Sequence, residues 1–557
     1  MRLRYIPLAA LAVGVLACSD PLSVQNTNSP DVERILSSPD GVEGLISTAF
    51  QGVHLATHGS TTSITSALQA LSGESMATVA NFGMAQRAAI PRQPIDNSLG
   101  NQTQAENERD FRELQKSAAN TVTGIDALHA LLESGATLGS AEANARAESF
   151  GLFALGVAYG NVALTYDQAA IATPGMEAGF VPDLSPYTEV MAAALSFLDE
   201  ALAIASGTPF SIPAAWVRTD GNLSSADYIR LLNSYKARFR AGVARTPAER
   251  DAVNWTQVAA EAGAGITSDF VITLSSQSGW TFPWLNQALV NSTWSSMTPI
   301  YLGMADTSGN YRKWILPPLA DLNAPERAAG GDPGNFFLWH TPDTRFPHGA
   351  TRAEQIANSL PRTADSPIDS IYFWVRPPGE DTEGQPYAES PYDFTRFVAY
   401  RQSSPTEAPW VLMSGTEIAM LAAEADMRLN PGNPALAVTL INDSRTSNGL
   451  PPFAAGSTRD TPAPNHPGGG GFSCVPQAPT GGNRVVECGS LWEAMKYEKR
   501  LETMFTGYAQ WYVDHRGWGD LIQGTHVMYP VPNGEMDARR LESYSSTWPA
   551  ALGTYSF

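Results

Sequence analysis

The chain has 557 residues, carries 35 Lys and Arg against 55 Asp and Glu for a formal charge of −20, and is 43% hydrophobic. That length and apolar content can bury a large core, while the acidic excess excludes nucleic acid as the natural partner. Three cysteines are too few for a disulfide scaffold, and no continuous apolar run reaches the ~18 residues that cross a bilayer.

Taken in chain order, Arg2 and Arg4 precede an apolar run over 6–16 and the sequence Leu16-Ala17-Cys18, which together read as a signal peptide over residues 1–17. Leu16-Ala17-Cys18 also has the form of a bacterial lipobox. Cys18 is therefore expected to be acylated and to tether the mature chain to a membrane by lipid alone. Helical spacing follows over 41–54 and 102–132, then in pairs: 141–164 with 187–205, and 226–244 with 255–266. Residues 270–411 are rich in Trp, Tyr, Phe, Pro and Gly and lose the helical period, which predicts loops and short strands laid over the helices. A third pair, 416–429 with 434–444, and a long helix over 491–508 complete the series. Helix pairs of ~34 residues are the unit of tetratricopeptide arrays. The expected fold is mainly α: one body over 18–557, with an N-terminal helical part (18–269), a loop-rich ligand-binding part (270–411) and a C-terminal helical part (412–557).

Within that last part, 451–489 reads as a surface loop, with many prolines and the run Gly468-Gly469-Gly470-Gly471. With Cys18 assigned to lipid, Cys474 and Cys488 remain, with thirteen residues between them. In an oxidising compartment a disulfide is the natural reading, and two quiet thiols are the alternative.

Trp280, Trp284, Trp294, Tyr301, Tyr311 and Trp314 crowd into one stretch of the loop-rich part. Flat rings suit stacking on the apolar face of a sugar, and they equally suit plugging the junction between loops and helices. His54 and His58 share a helical face at a spacing compatible with a metal, but no third ligand is evident and surface histidines are the better reading. Asp306-Thr307-Ser308-Gly309-Asn310 resembles half of a calcium loop and reads as a turn, because the later Glu is missing. Asp514, His515 and Arg516 are adjacent on a helix, so they point in different directions and are expected to make separate structural pairs. No nucleophile elbow, P-loop or dinucleotide fingerprint occurs, and neither a cofactor nor a metal is expected.

Several motifs, in order, resemble those of SusD/RagB-type nutrient-binding lipoproteins. Ala423-Glu424-Ala425, a Pro-Gly turn, and Ile441-Asn442-Asp443-Ser444-Arg445 before Gly449 resemble that family's C-terminal signature. ARAESFGLFALGVAYGNVALTYDQA from Ala145, SYKARFRAGVAR from Ser234 and Asp343-Thr344-Arg345 resemble its aromatic helix, its Ala-Arg helix and its Asp-Pro-Arg turn. YEKRLETMFTGYAQWYVDHRGWGDL followed by YPVPNGEMDAR resembles its closing segment, and Cys18 to Pro30 its leader. Ala163 stands where a proline is usual, Thr506 replaces an acid, Ala509 replaces an arginine, and 507–514 is lengthened.

The resemblance implies four tetratricopeptide-like pairs and a lipid-anchored, surface-exposed outer-membrane protein that sits as a lid on a SusC-like TonB-dependent barrel transporter. It also implies an oligosaccharide or peptide ligand and no catalysis, and by region it brings Phe82 and Arg87 near the ligand. A secreted glycan hydrolase using the same aromatics as subsites, and a tetratricopeptide scaffold for other proteins, are the competing readings.

Overall fold

Helices start where a short polar side chain can accept one of the unpaired backbone N–H groups of the first turn. Ser38 opens α1 (Pro39–Ser47), and after α2 (Ala49–His58) Ser63 opens α3 (Ile64–Ser72). The long α4 (Gln104–Glu133) is followed by α5 (Ala141–Thr165), capped by Ser140, and α6 (Tyr187–Gly207). Ser224 caps α7 (Ser225–Gly242), Asn254 caps α8 (Trp255–Gly263), and Ser414 caps α9 (Gly415–Leu429). Then come α10 (Ala435–Ser447), α11 (Leu491–Thr503), capped by Ser490, and α12 (Gln510–Trp518). The computed structural model describes residues 35–77, 87–101, 104–177, 179–290, 295–317, 337–359, 371–380, 390–402, 407–481, 484–544, 551 and 553–555. Residues 1–17, Cys18, Phe82 and Trp294 lie outside the described residues.

From α4 to α10 each helix packs on the next, and α11 returns onto α9. The body is thus a stack of helical hairpins of tetratricopeptide-like kind, with α1 and α2 laid on α4. Both α5 and α6 are long and apolar enough to cross a membrane by composition, yet α5 is the central core helix, buried on all sides from Ser149 to Thr165. Its approach to α7 depends on Gly160, where a Cβ would lie 2.2 Å from the Phe239 ring.

Two expected helices differ in the structure. The stretch 41–54 is broken between α1 and α2 at Thr48, whose hydroxyl donates to the Leu45 carbonyl (3.0 Å) in place of the next helical N–H. The helix from 491 ends at Thr503 rather than 508, because Phe505, Gly507 and Ala509 adopt positive φ.

The described strands pair only in twos. β1 (Phe270–Ser275) and β2 (Glu407–Met413) run antiparallel, from Phe270 opposite Met413 to Ser275 opposite Glu407. Because α8 and α9 pack directly on each other, the chain between them leaves the frame and returns at this one ribbon. Near the C-terminus β3 (Gln477–Thr480) pairs with β4 (Val485–Cys488), and Cys474 is disulfide-bonded to Cys488. This loop covers a second, smaller core that includes Met420, Met427, Ile441, Phe453 and Trp518.

Buried charge fastens the frame. Arg238 grips Glu417 with two bonds (2.7 and 2.6 Å), joining α7 to α9, and Arg250 grips Glu424 in the same way (3.0 and 2.6 Å). Burial alone would raise the Glu424 carboxyl, but Arg250 and Arg428 outweigh it and hold it at about 2. Arg345 meets Asp343 (2.7 Å), Glu498 (2.9 Å) and Glu502 (3.0 Å), tying the turn at 343–345 to α11. Arg445 donates to the carbonyls of Pro451 and Val475 and so pins the disulfide loop to α10. Asp514, His515 and Arg516 diverge: Asp514 pairs with Lys499, His515 accepts from Arg500, and Arg516 donates to the carbonyls of Gly242 and Val527.

Candidate functional site

The five described members of the aromatic group do not form a stacking face. Trp280, Trp284, Tyr301, Tyr311 and Trp314 are all buried. Trp280 packs on Phe50 and His54, and Trp284 donates its Nε1–H to Gln69 Oε1 (2.7 Å), so both fasten the loop-rich part to α2 and α3. Tyr301 lies against His515 and donates to the Asp520 carbonyl (2.5 Å), Tyr311 donates to the Ile300 carbonyl (2.8 Å), and Trp314 packs on Phe337. The expectation that these rings stack on a ligand is corrected here. They plug the junction between insertion and frame, which suits their large apolar area.

His54 and His58 are buried rather than on the surface. Their rings stack 5.1 Å apart, His54 Nε2 meets the Thr281 carbonyl (3.0 Å) and His58 Nε2 the Gly507 carbonyl (2.8 Å). Burial pushes His58 down to about 4 and His54 well below its ordinary value, so both are neutral near pH 7. Asp306 forms a turn: its carboxylate accepts from Ser308, Tyr311 and His340. Among the described residues no group of three or more His, Cys, Asp or Glu is placed to hold a metal.

Arg87 lies in a cleft of about 350 Å³ bounded by Gln93, Asp96, Asn101, Asn107, His526 and Tyr529, with Leu71, Pro94 and Ile95 as its apolar part. The chain makes this cleft locally. Buried Arg92 donates to the carbonyls of Leu71 (3.0 Å) and Arg87 (2.5 Å), folding 87–92 against the C-terminal end of α3. Asn101 and Asn107 both donate to the Asp96 carbonyl (2.6 and 3.3 Å), which curls 96–101 over the start of α4. Arg87 donates to Asn107 Oδ1 (3.1 Å), and the Ile95 N–H donates to His526 Nε2 (3.1 Å).

The cleft is graded in depth: Gln93 and Asp96 are exposed, Arg87 and Asn101 half-buried, Asn107 and His526 buried. The Ser98 N–H holds the Asp96 carboxyl below its usual range, so it is an acceptor, and burial lowers His526, so its imidazole is neutral. Guanidinium, amide, carboxylate and imidazole groups converging on one small space suit a ligand with many hydroxyls. Asn101 and Asn107 were missed in the sequence. An Asp-Asn-Ser turn after two prolines is a readable signal for a shaped polar loop, whereas His526 reaches the cleft only through the tertiary fold.

A larger groove, about 980 Å³, runs between α8, α9 and α10. Its floor is aliphatic (Ile266, Ile418, Met420, Leu440), and its charged wall, Arg345 and Glu502, is internally paired.

No family model matches the chain, and no curated protein matches it in sequence. Solved structures do. A SusD superfamily protein from Parabacteroides distasonis superposes with a TM-score of 0.57 at 12% identity, covering 92% of this chain and 99% of the other. A SusD superfamily protein from Bacteroides vulgatus gives 0.54 at 11% identity, with 92% and 100% covered. This chain has the SusD fold. A SusD homolog from Bacteroides thetaiotaomicron shares it too, with a TM-score of 0.52 at 13% identity and 93% and 99% covered. In this SusD-fold chain the motifs that resemble the family's signature are the buried clamps: Arg238, Arg345, Glu424 and Arg445 all fasten the frame, and none of them lines the Arg87 cleft.

Proposed function

We propose that the protein is a non-catalytic capture subunit of an outer membrane, tethered through Cys18, that binds a carbohydrate in the Arg87 cleft and passes it to a SusC-like TonB-dependent barrel. The observation that carries this reading is the SusD fold running over almost the whole chain at both partners' full length. The cleft supplies hydroxyl-binding chemistry, with hydrogen-bonding groups fixed by the loops that carry them. Binding is favoured over hydrolysis because, of the two acids lining the larger groove, Glu502 is committed to Arg345 and Arg396, which leaves Asp443 without a second free carboxylate to work against.

The experiment is calorimetric titration of the protein with oligosaccharides of defined linkage, with a reducing-end assay run in parallel. Saturable binding without new reducing ends is expected. Steady release of reducing ends would replace this reading with a hydrolase. A second reading has its own support: the aliphatic floor of the larger groove suits apolar peptide side chains. It predicts that a peptide rich in Leu and Ala is bound and that Leu440→Asp abolishes the binding.

A further inference from the structure

Among the described aromatic residues, Phe180 and Phe472 alone are exposed, and Phe472 stands two residues before Cys474 of the disulfide. A single exposed apolar side chain is ordinary on a protein surface. Phe472 differs in being held from three sides. The Arg312 guanidinium lies 3.7 Å from the centre of its ring, covering one face. Arg312 Nε donates to Gln477 Oε1 (3.0 Å), and buried Gln477 in turn donates through Nε2 to the Phe472 carbonyl (2.9 Å). The next residue, Ser473, donates its N–H to Asn465 Oδ1 (3.0 Å). With one face under a guanidinium and the backbone anchored, the residue is still 54% exposed, which leaves the face away from Arg312 for a ligand.

We propose that Phe472 is a stacking platform for a pyranose ring of a polysaccharide, a subsite apart from the Arg87 cleft. The inference rests on the carbohydrate reading above. A flat ring offers an apolar surface that matches the C–H face of a sugar, and fixing it beforehand removes the ordering cost that a mobile side chain would add on binding. The surroundings favour a sugar over a protein partner. Gly468 to Gly471 precede Phe472 directly, and Asn465 and His466 hydrogen-bond to Ser473, so its neighbours are small or polar, whereas a protein hot spot would be ringed by apolar contact area. Arg312 belongs to the segment between buried Tyr311 and Trp314, so the aromatic plug acts as the footing of the platform.

The test is affinity electrophoresis of the full chain in gels containing soluble starch, barley β-glucan, wheat arabinoxylan or pectic galactan, together with titration of a tetrasaccharide of whichever sugar is bound. For a polymer that retards the wild type, Phe472→Ala should bind at least fivefold more weakly, Phe472→Tyr like the wild type, and Arg312→Met in between. Arg87→Ala should weaken tetrasaccharide binding while leaving the effect of Phe472→Ala on the polymer in place. Polymer binding by Phe472→Ala equal to the wild type overturns the platform while leaving capture at the cleft standing. A wild type retarded by none of the polymers and silent to the tetrasaccharides overturns the carbohydrate reading, and the platform with it.

Discussion

The helical frame and the Arg87 cleft use the same side chains for opposite ends. In the frame, Arg238, Arg250 and Arg345 are enclosed and each meets carboxylates at hydrogen-bond distance, so charge is consumed in fixing one helix against another. In the cleft, Arg87, Asn101 and Asp96 reach toward water from short loops whose backbone is pinned by neighbouring residues. The difference teaches that an arginine in this protein is read by its surroundings. Enclosure with a matched acid marks structure, and partial exposure beside amides fits the recognition proposed for the cleft.

The sharpest way to break the comparison is Glu424→Ala. It leaves the Arg250 guanidinium buried without its bidentate partner and should cost about 3–5 kcal/mol in urea denaturation, with little change in the affinity of the molecules that remain folded. A loss below about 1 kcal/mol would mean that the clamps are not what holds the frame.

The next effect depends on pH. Burial raises Glu74, which accepts from the Phe505 N–H, from its ordinary value of 4.5 to about 8. A carboxyl raised in this way stabilises the fold below pH 4.5, and that contribution is lost progressively as pH rises through 8. Glu74→Gln should therefore match the wild type near pH 4.5 and be more stable at pH 8 by roughly 4 kcal/mol. Equal stability at both pH values would overturn the assignment.

Smaller again is Trp284→Phe, which leaves Gln69 Oε1 without its indole donor and should cost about 2 kcal/mol without altering sugar affinity. A fall in affinity at unchanged stability would restore this ring to the binding face. Smallest in stability is Arg87→Ala, expected to cost about 1 kcal/mol by denaturation, because Asn107 Oδ1 loses its donor while the carbonyl that Arg92 uses is retained. Its sugar affinity should nonetheless fall about tenfold, the equivalent of one hydrogen bond from a charged group.

The frame was legible in the sequence because its information is local and periodic. The apolar spacing of α5 to α10 and the Ser and Asn caps declare themselves within a few residues, and Glu424, Arg345 and Arg445 stand in motifs of fixed spacing. The aromatic group was misplaced for a physical reason. A loop rich in Trp and Tyr has the same composition whether its rings face a ligand or a helix, and the partners that decide it, Gln69 for Trp284 and Phe50 for Trp280, lie more than 200 residues away. His54 and His58 share this limit, since their carbonyl partners at Thr281 and Gly507 come from distant segments. Of the cleft, Arg87 came from the family resemblance by region, and Asn107 and His526 came only from the fold.

The β1–β2 ribbon has an evolutionary consequence. Since Ser275 and Glu407 face each other while α8 and α9 touch without help from what lies between, that interval can be exchanged as a cassette. Relatives could diversify what they recognise by trading material at this junction, provided each new cassette brings bulky rings to seat against α2 and α3. A designer could do the same, cutting at residues 275 and 407: the Arg238 and Arg250 clamps stay in place, and the new segment has to replace the contacts that Arg345 makes to α11.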